Sequence, residues 1–178
     1  VTNGNFNAFS MVQVCRRILG HIGVRPERLR LEWVSAGEGI RFANFMNEFS
    51  AELEKMGPIG EAEGMSREDL SLKLEAVKNL VPYIKLVLTQ KMLVPVRTEE
   101  AYHAFFTSRE FDRLFEEILL GKLETSQILL LLRDGPLSTG QISGRLGLTP
   151  SQVSKHMVQA SRQGWVRYDV NSKSYAIG

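Results

Sequence analysis

Leu148-Thr149-Pro150-Ser151-Gln152-Val153-Ser154-Lys155-His156 is the stretch on which the fold turns. Thr149 and Gln152 have the spacing of a capping box, in which the hydroxyl accepts from the first helical turn while the amide reaches back to the cap. Pro150 stands at the first helical position, where a missing N–H costs nothing. A helix therefore opens at 150, turns Val153, Met157 and Ala160 to one face, and stops at Gly164. Just upstream, Ser138-Thr139-Gly140-Gln141 repeats the device and opens a helix with Ile142 and Leu146 inward, ended by Gly147. The turn between the two helices is thus short and specified. An earlier helix carries Ile128 to Leu132 and stops at Asp134-Gly135-Pro136, after which Leu137 is placed to add a short strand. Trp165 to Asp169 and Ser174 to Ile177 read as two strands joined by Val170-Asn171-Ser172-Lys173.

Three helices followed by a hairpin make a winged helix-turn-helix module. Residues 124–178, with the 148–156 pattern, resemble winged-helix regulators of the multiple-antibiotic-resistance and arsenic-repressor type. The resemblance implies a third helix that enters the major groove, where Gln152, Ser154 and Lys155 reach bases while Arg145, Arg162, Arg167 and Lys173 contact phosphates. Ser151 lies on the same outward face. Winged helices also serve as protein-docking elements, so these eight residues are the candidate contacts to DNA or to a protein partner. The exposed face at the start of the third helix has no arginine, and the wing tip has only Lys173.

Composition sets the bounds. A chain of 178 residues, 43% hydrophobic and 24% charged, holds one sizeable core or two small ones. The longest aliphatic run, Ile128 to Leu132, is far short of the roughly 20 residues a membrane span needs. The start, Val1-Thr2-Asn3-Gly4-Asn5, has no signal-peptide character and no initiator Met, and reads as a cut. One cysteine, Cys15, permits no internal disulfide, and His21, His103 and His156 are far from it and from one another, so no metal site is expected. The net charge of +2 is unevenly spread. Residues 122–178 hold Lys122, Arg133, Arg145, Lys155, Arg162, Arg167 and Lys173 against Glu124, Asp134 and Asp169, a basic balance that suits nucleic acid.

Upstream, residues 7–20 carry an apolar helical stripe through Val12, Val14, Cys15, Ile18 and Leu19. Leu29, Leu31 and Trp33 alternate with Arg30 and Glu32, which predicts a strand. Ser35-Ala36-Gly37-Glu38 has capping-box spacing and predicts a helix start, with Phe42, Phe45, Met46, Phe49, Leu53 and Met56 on one face until Gly57-Pro58. A single strand leaves both edges unpaired, so its neighbours lie upstream of Val1 or on a second copy in a homodimer. Gly57 to Met65 reads as a linker. From Ser66 a stripe of Leu70, Leu74, Val77, Val81, Ile84 and Leu88 follows, a packed face rather than a coiled coil, with a kink or break at Pro82. Thr98 opens a helix with Tyr102, Phe105 and Phe106, and Ser108 another with Phe111, Leu114, Phe115, Ile118 and Leu119. The expected fold is mainly α: a truncated α/β (helix-strand-helix) segment at 1–58, a helical connector at 59–121 and a winged helix-turn-helix at 122–178.

Gly4-Asn5-Phe6-Asn7-Ala8, the run Ile22 to Gly39 with Arg30-Leu31-Glu32-Trp33-Val34-Ser35-Ala36, and Phe42-Ala43 through Asn47-Glu48-Phe49 to Gly57-Pro58 resemble the delta, iron-sulfur subunit of methyl-viologen-reducing hydrogenases. The likeness covers residues 3–58 and the second half of that family's pattern. It implies a cytoplasmic, non-catalytic subunit that passes electrons to a heterodisulfide reductase A-like partner, with an iron-sulfur cluster in the full-length protein. No cluster ligand carries over to this chain, because the family's cysteines fall mostly before Val1. Cys15 reads as a buried small hydrophobe. The expectation is a C-terminal portion of such a subunit, its winged helix a docking module. The alternative is a winged-helix DNA-binding regulator with an N-terminal dimerisation or redox-sensing segment. No catalytic set of paired carboxylates, nucleophile and base, or phosphate loop is present.

Overall fold

A computed structural model of the chain describes residues 3–178. Among the described residues the helices are α1 (Asn3–Ile22), α2 (Gly39–Met56), α3 (Arg67–Gln90), α4 (Glu99–Phe106), α5 (Arg109–Leu114), α6 (Gly121–Arg133), α7 (Thr139–Leu146) and α8 (Pro150–Arg162), followed by strands β1 (Val166–Asp169) and β2 (Ser174–Ile177). The fold is mainly α with a C-terminal winged helix, as the pattern predicts. Contacts divide it into two units, residues 1–71 with 93–108, and residues 72–92 with 109–178. The segment 59–121 is therefore shared between them.

In the first unit, α1 buries Val14, Ile18 and Ile22, and Val24 closes the end of the stripe. Phe6 and Phe9, three apart and so on one helical face, meet Tyr102 of α4 with ring centroids at 4.6 and 6.3 Å, and Phe9 also meets Phe106 at 6.0 Å. The expected strand at 29–33 is extended at Leu29 but pairs with no strand among the described residues. Side chains hold it instead: the Arg16 guanidinium donates to the Leu29 carbonyl at 2.9 Å. Alternation of apolar and polar residues cannot by itself show whether a ladder partner exists.

Ser35 does not open a helix. Glu38 accepts from the Ser35 backbone N–H and hydroxyl, both at 2.7 Å, closing a turn, and α2 starts at Gly39. Those two donors, with Arg41 at 3.0 Å, hold the Glu38 carboxyl down at about 2. Gly57 to Met65 is no loose linker. It forms a turn around Glu61–Glu63, where Glu63 accepts from the Gly60 N–H at 2.7 Å and pairs with Arg28 at 2.7 Å, its side chain 4% exposed. Burial opposes ionisation of Glu63, but the Arg28 and Gly60 bonds outweigh it and keep the carboxyl below its ordinary value of 4.5.

In the second unit the core is Ile128, Leu132, Ile142, Val153, Met157, Ala160 and Val166. Leu137 does add the expected short strand contact, bridging Tyr175 beside the β1–β2 hairpin. Two expected breaks are absent. Of the kink or break expected at Pro82 the break does not occur, since α3 runs through it. The removed N–H costs one hydrogen bond, and burial of Ala76, Ile84 and Val87 on either side of Pro82 offsets that loss. The helix after Ser108 and the first helix of the winged module are one run, α5 passing through a π-helical segment, Phe115–Leu120, directly into α6.

Candidate functional site

The third helix of the winged module is fixed from both ends. Gln141 N–H donates to the Ser138 hydroxyl at 3.3 Å and Ser138 N–H to the Gln141 amide oxygen at 2.8 Å, which starts α7. Gly147, at φ 68, ends it in the left-handed region that suits glycine. The Ser143 hydroxyl then donates to the Leu148 carbonyl across the turn. Thr149 caps α8 by accepting from Gln152 N–H at 3.3 Å, while the Gln152 amide oxygen accepts from Thr149 N–H at 2.9 Å and from its hydroxyl at 2.8 Å. The capping pattern read at 149–152 is therefore the observed one.

All eight candidate contacts are exposed: Ser151, Gln152, Ser154, Lys155 and Arg162 on α8, Arg145 at the end of α7, Arg167 on β1 and Lys173 in the wing turn. They do not act alike. The oxygen of Gln152 is already engaged by the cap, so only its amide N–H groups face outward. Asp169, whose carboxyl is held down first by the Asn171 N–H at 2.8 Å, lies in the same strand as Arg167 and offsets its charge. Lys173 adopts φ 49 at the wing turn.

Two features escaped the sequence reading. The outward surface is interrupted by apolar groups: Val158 in the middle of α8, then Trp165 at 44%, Tyr168 at 49% and Val170 at 74% exposure along the wing. Beneath α8, His156 is buried. Its Nε2 stands 2.7 Å from a Glu124 carboxylate oxygen on α6, and its Nδ1 stands 3.0 Å from the Thr125 hydroxyl. That hydroxyl also lies 2.8 Å from the Gly121 carbonyl. Both ring nitrogens are thus paired, Nδ1 with the Thr125 hydroxyl and Nε2 with the Glu124 carboxyl. The signal was present in the spacing, since His156 falls three residues after Val153 and Glu124 four before Ile128, each on the buried face. A cavity of about 300 Å³ is lined by Thr125, the hydroxyl partner of His156, and among others by Tyr83, Glu117, Lys122, Gln159 and Trp165.

The first unit presents a different surface. No residue of α2 is buried; Phe42, 52% exposed, and Met46 share one face, and Ile40 is exposed elsewhere on the helix. The helix is held by charge: Arg30 reaches Glu52 at 3.2 Å and lies 4.8 Å over the Phe45 ring, Arg41 reaches Glu32 at 3.1 Å, and Arg28 donates to the Met56 carbonyl. Cys15 lies half-buried on α1, its thiol pushed up by burial. An iron-sulfur cluster needs several thiolates. Cys15 is the one cysteine, and among the described residues no group of three or more His, Cys, Asp or Glu is placed to hold a metal, so these residues do not fit a cluster. Among them too, no helix is long and apolar enough to cross a membrane.

The exposed apolar helix, strapped by arginines to the extended segment, lies within a region with known relatives. Residues 1–57 match the methyl-viologen-reducing hydrogenase delta subunit family. The chain is 48% identical over 58 residues to the A component of the ferredoxin/F420H2-dependent CoB-CoM heterodisulfide reductase of Methanosarcina acetivorans, covering 33% of this chain and 7% of that one. It is 45% identical over 75 residues to the A component of the ferredoxin:CoB-CoM heterodisulfide reductase of Methanosarcina mazei, 42% and 9% of the two chains. It is also 44% identical over 55 residues to the iron-sulfur (D) component of the F420-non-reducing hydrogenase of Archaeoglobus profundus, 31% and 40%. The chain thus spans under half the length of each of these relatives. Residues 125–159 match the bacterial regulatory protein arsR family, which covers α6 through most of α8. No solved structure matches the chain.

Proposed function

We propose that this protein is a non-catalytic subunit of a hydrogenase or heterodisulfide reductase-like electron-transfer complex, in which the delta-subunit-like region and the winged helix both dock to protein partners. The observation that carries the reading is the identity of 44 to 48% over 55 to 58 residues to components of two such complexes. The surfaces agree with it. An α2 with no fully buried residue and with Phe42 and Met46 exposed, and a wing bearing Trp165, Tyr168 and Val170, are apolar patches of the kind that protein interfaces cover. An iron-sulfur cluster belongs to the proposal for the whole assembly, not to any residue of this chain. Anaerobic purification of the native protein from its own cells, with iron analysis and identification of associated proteins, tests it: a flavin or iron-sulfur partner in fixed ratio is expected, and isolation without iron or any redox partner overturns it.

The match of residues 125–159 to the arsR family favours one second reading, a DNA-binding regulator. Gel-shift titration of the full chain against genomic fragments decides it. Sequence-specific binding that weakens steeply with salt and with Lys155→Ala or Arg162→Ala supports the regulator, and weak binding indifferent to both substitutions rules it out.

A further inference from the structure

A cavity of about 190 Å³ in the first unit is lined by Asn5, Phe6, Phe9, Trp33, Glu99 and Tyr102. Its construction follows from helical spacing. Phe6 and Phe9 project from one face of α1, while Glu99 and Tyr102, also three apart, project from one face of α4. Trp33 reaches it from the extended segment and is 39% exposed, which leaves the cavity open to solvent on that side. The rings form walls rather than a flat stack, since Phe6 is tilted 31° and Phe9 77° to Tyr102. Four aromatic rings and one carboxylate line it, and no lysine or arginine does.

That chemistry selects its occupant. Aromatic faces carry negative quadrupole potential, and a carboxylate among them adds a full negative charge, so the space favours a cation over a neutral group of equal size. An anion or phosphate is disfavoured by the Glu99 carboxylate and finds no cationic side chain in the lining. The volume is below the roughly 300 Å³ at which pockets for whole cofactors begin, which fits a headgroup rather than a nucleotide or flavin. We propose that this cavity is a binding site for an alkylammonium group, carried by a small quaternary or primary amine or by the lysine side chain of a protein.

The test uses the full chain with Trp165→Phe, so that Trp33 is the only indole reporter. Its fluorescence is titrated with choline, with the neutral isostere 3,3-dimethylbutan-1-ol and with N-acetyl-lysine methylamide. Saturable quenching by at least one cation in the millimolar range, with the isostere at least about tenfold weaker, is expected from cation–π attraction at a partly exposed site. Glu99→Gln should weaken the cation roughly threefold to fivefold through loss of the partly exposed charge, and Phe9→Leu should weaken it while circular dichroism shows the helices retained. Tighter binding of choline assigns the site to small amines, and tighter binding of the lysine amide assigns it to a protein side chain. Equal binding of choline and its isostere, or no cation response at Trp33, overturns the proposal.

Discussion

The buried pair between Glu124 and His156 ties α6 to the underside of α8, and removing it should be the most damaging polar change in the second unit. Both side chains are under one-tenth exposed, 8% for Glu124 and 7% for His156, and their 2.7 Å contact has the length of a charge-assisted hydrogen bond. Glu124→Ala strands the imidazole Nε2 away from water, and His156→Ala strands the carboxylate. Each should cost about 3–5 kcal/mol, the range for breaking a buried pair from one side. In a chain of this size that lowers the unfolding midpoint by roughly 6–20 °C. The double variant should cost well under the sum, because once both groups are gone nothing is left unpaired, and a coupling of about 2–3 kcal/mol is expected. Replacing the pair with Glu124→Met and His156→Leu should return stability to within about 1 kcal/mol of the parent, since apolar groups of similar volume need no partner. Urea unfolding followed by circular dichroism measures all four. Single variants within about 0.5 kcal/mol of the parent, or effects that simply add, would show that the contact contributes no more than its packing.

Other substitutions probe the remaining polar and apolar features. Arg28→Ala should destabilise the first unit by about 2 kcal/mol by removing a charged hydrogen bond. Because the folded-state carboxyl of Glu63 lies below its ordinary value of 4.5, that contribution is complete above about pH 4.5 and fades as pH falls through the folded value. Urea midpoints of parent and variant should therefore converge in acid, and a constant difference from pH 7 to pH 3 would exclude the linkage. Pro82→Ala should stabilise α3 by about 1–3 kcal/mol by restoring the missing N–H; destabilisation would mean that the surrounding packing depends on the proline ring. Trp165→Ser with Tyr168→Ser should cost about 2–5 kcal/mol, because each ring is still half-buried and Tyr168 packs on Tyr175, while circular dichroism shows the helices retained and any copurifying partner is released; retention of the partner would remove the wing from the interface.

The winged module was legible because it is written in local chemistry. Capping boxes at Ser138 and Thr149, Pro150 at the first helical position and glycines at 147 and 164 each determine a boundary from a few adjacent residues, and those boundaries are the observed ones. The errors came where one local signal closes in two ways, or where a segment is tied to a distant group. Ser35 and Glu38 have the same spacing as Thr149 and Gln152, but the Glu38 N–H donates to the Ser35 carbonyl, a turn, where the Gln152 N–H donates to the Thr149 hydroxyl, a cap, and the helix begins later. The glycines of 57–65 promised slack, and Glu63 anchors them through Arg28, which lies 35 residues away. The eight outward candidates were readable from helical phase. Their energetic differences were not, because the offset of Arg167 by Asp169 and the buried His156 strut arise from tertiary neighbours.

Gln152 separates the two readings of the winged helix most cleanly. Reading an adenine takes both halves of a glutamine amide, the oxygen accepting from the base amino group and the N–H donating to N7, and is worth about 1–3 kcal/mol of discrimination. Here the oxygen already accepts two bonds from Thr149. Turning it to a base would give up these side-chain bonds, at about 1 kcal/mol, while the Thr149 hydroxyl keeps its bond from the Gln152 N–H, so about 0–2 kcal/mol of net preference remains. Gln152→Glu exploits the difference. A glutamate keeps the accepting oxygen, completes the capping box and sits favourably at a helix start, so thermal stability should hold or rise slightly. It cannot donate to N7 and places a negative charge toward the DNA. If the module docks to protein through its apolar wing, Gln152→Glu should leave partner copurification unchanged. If instead it reads DNA through this residue, the variant should lose sequence-specific binding by about tenfold or more in a gel shift, and that result would displace docking as the role of the C-terminal unit.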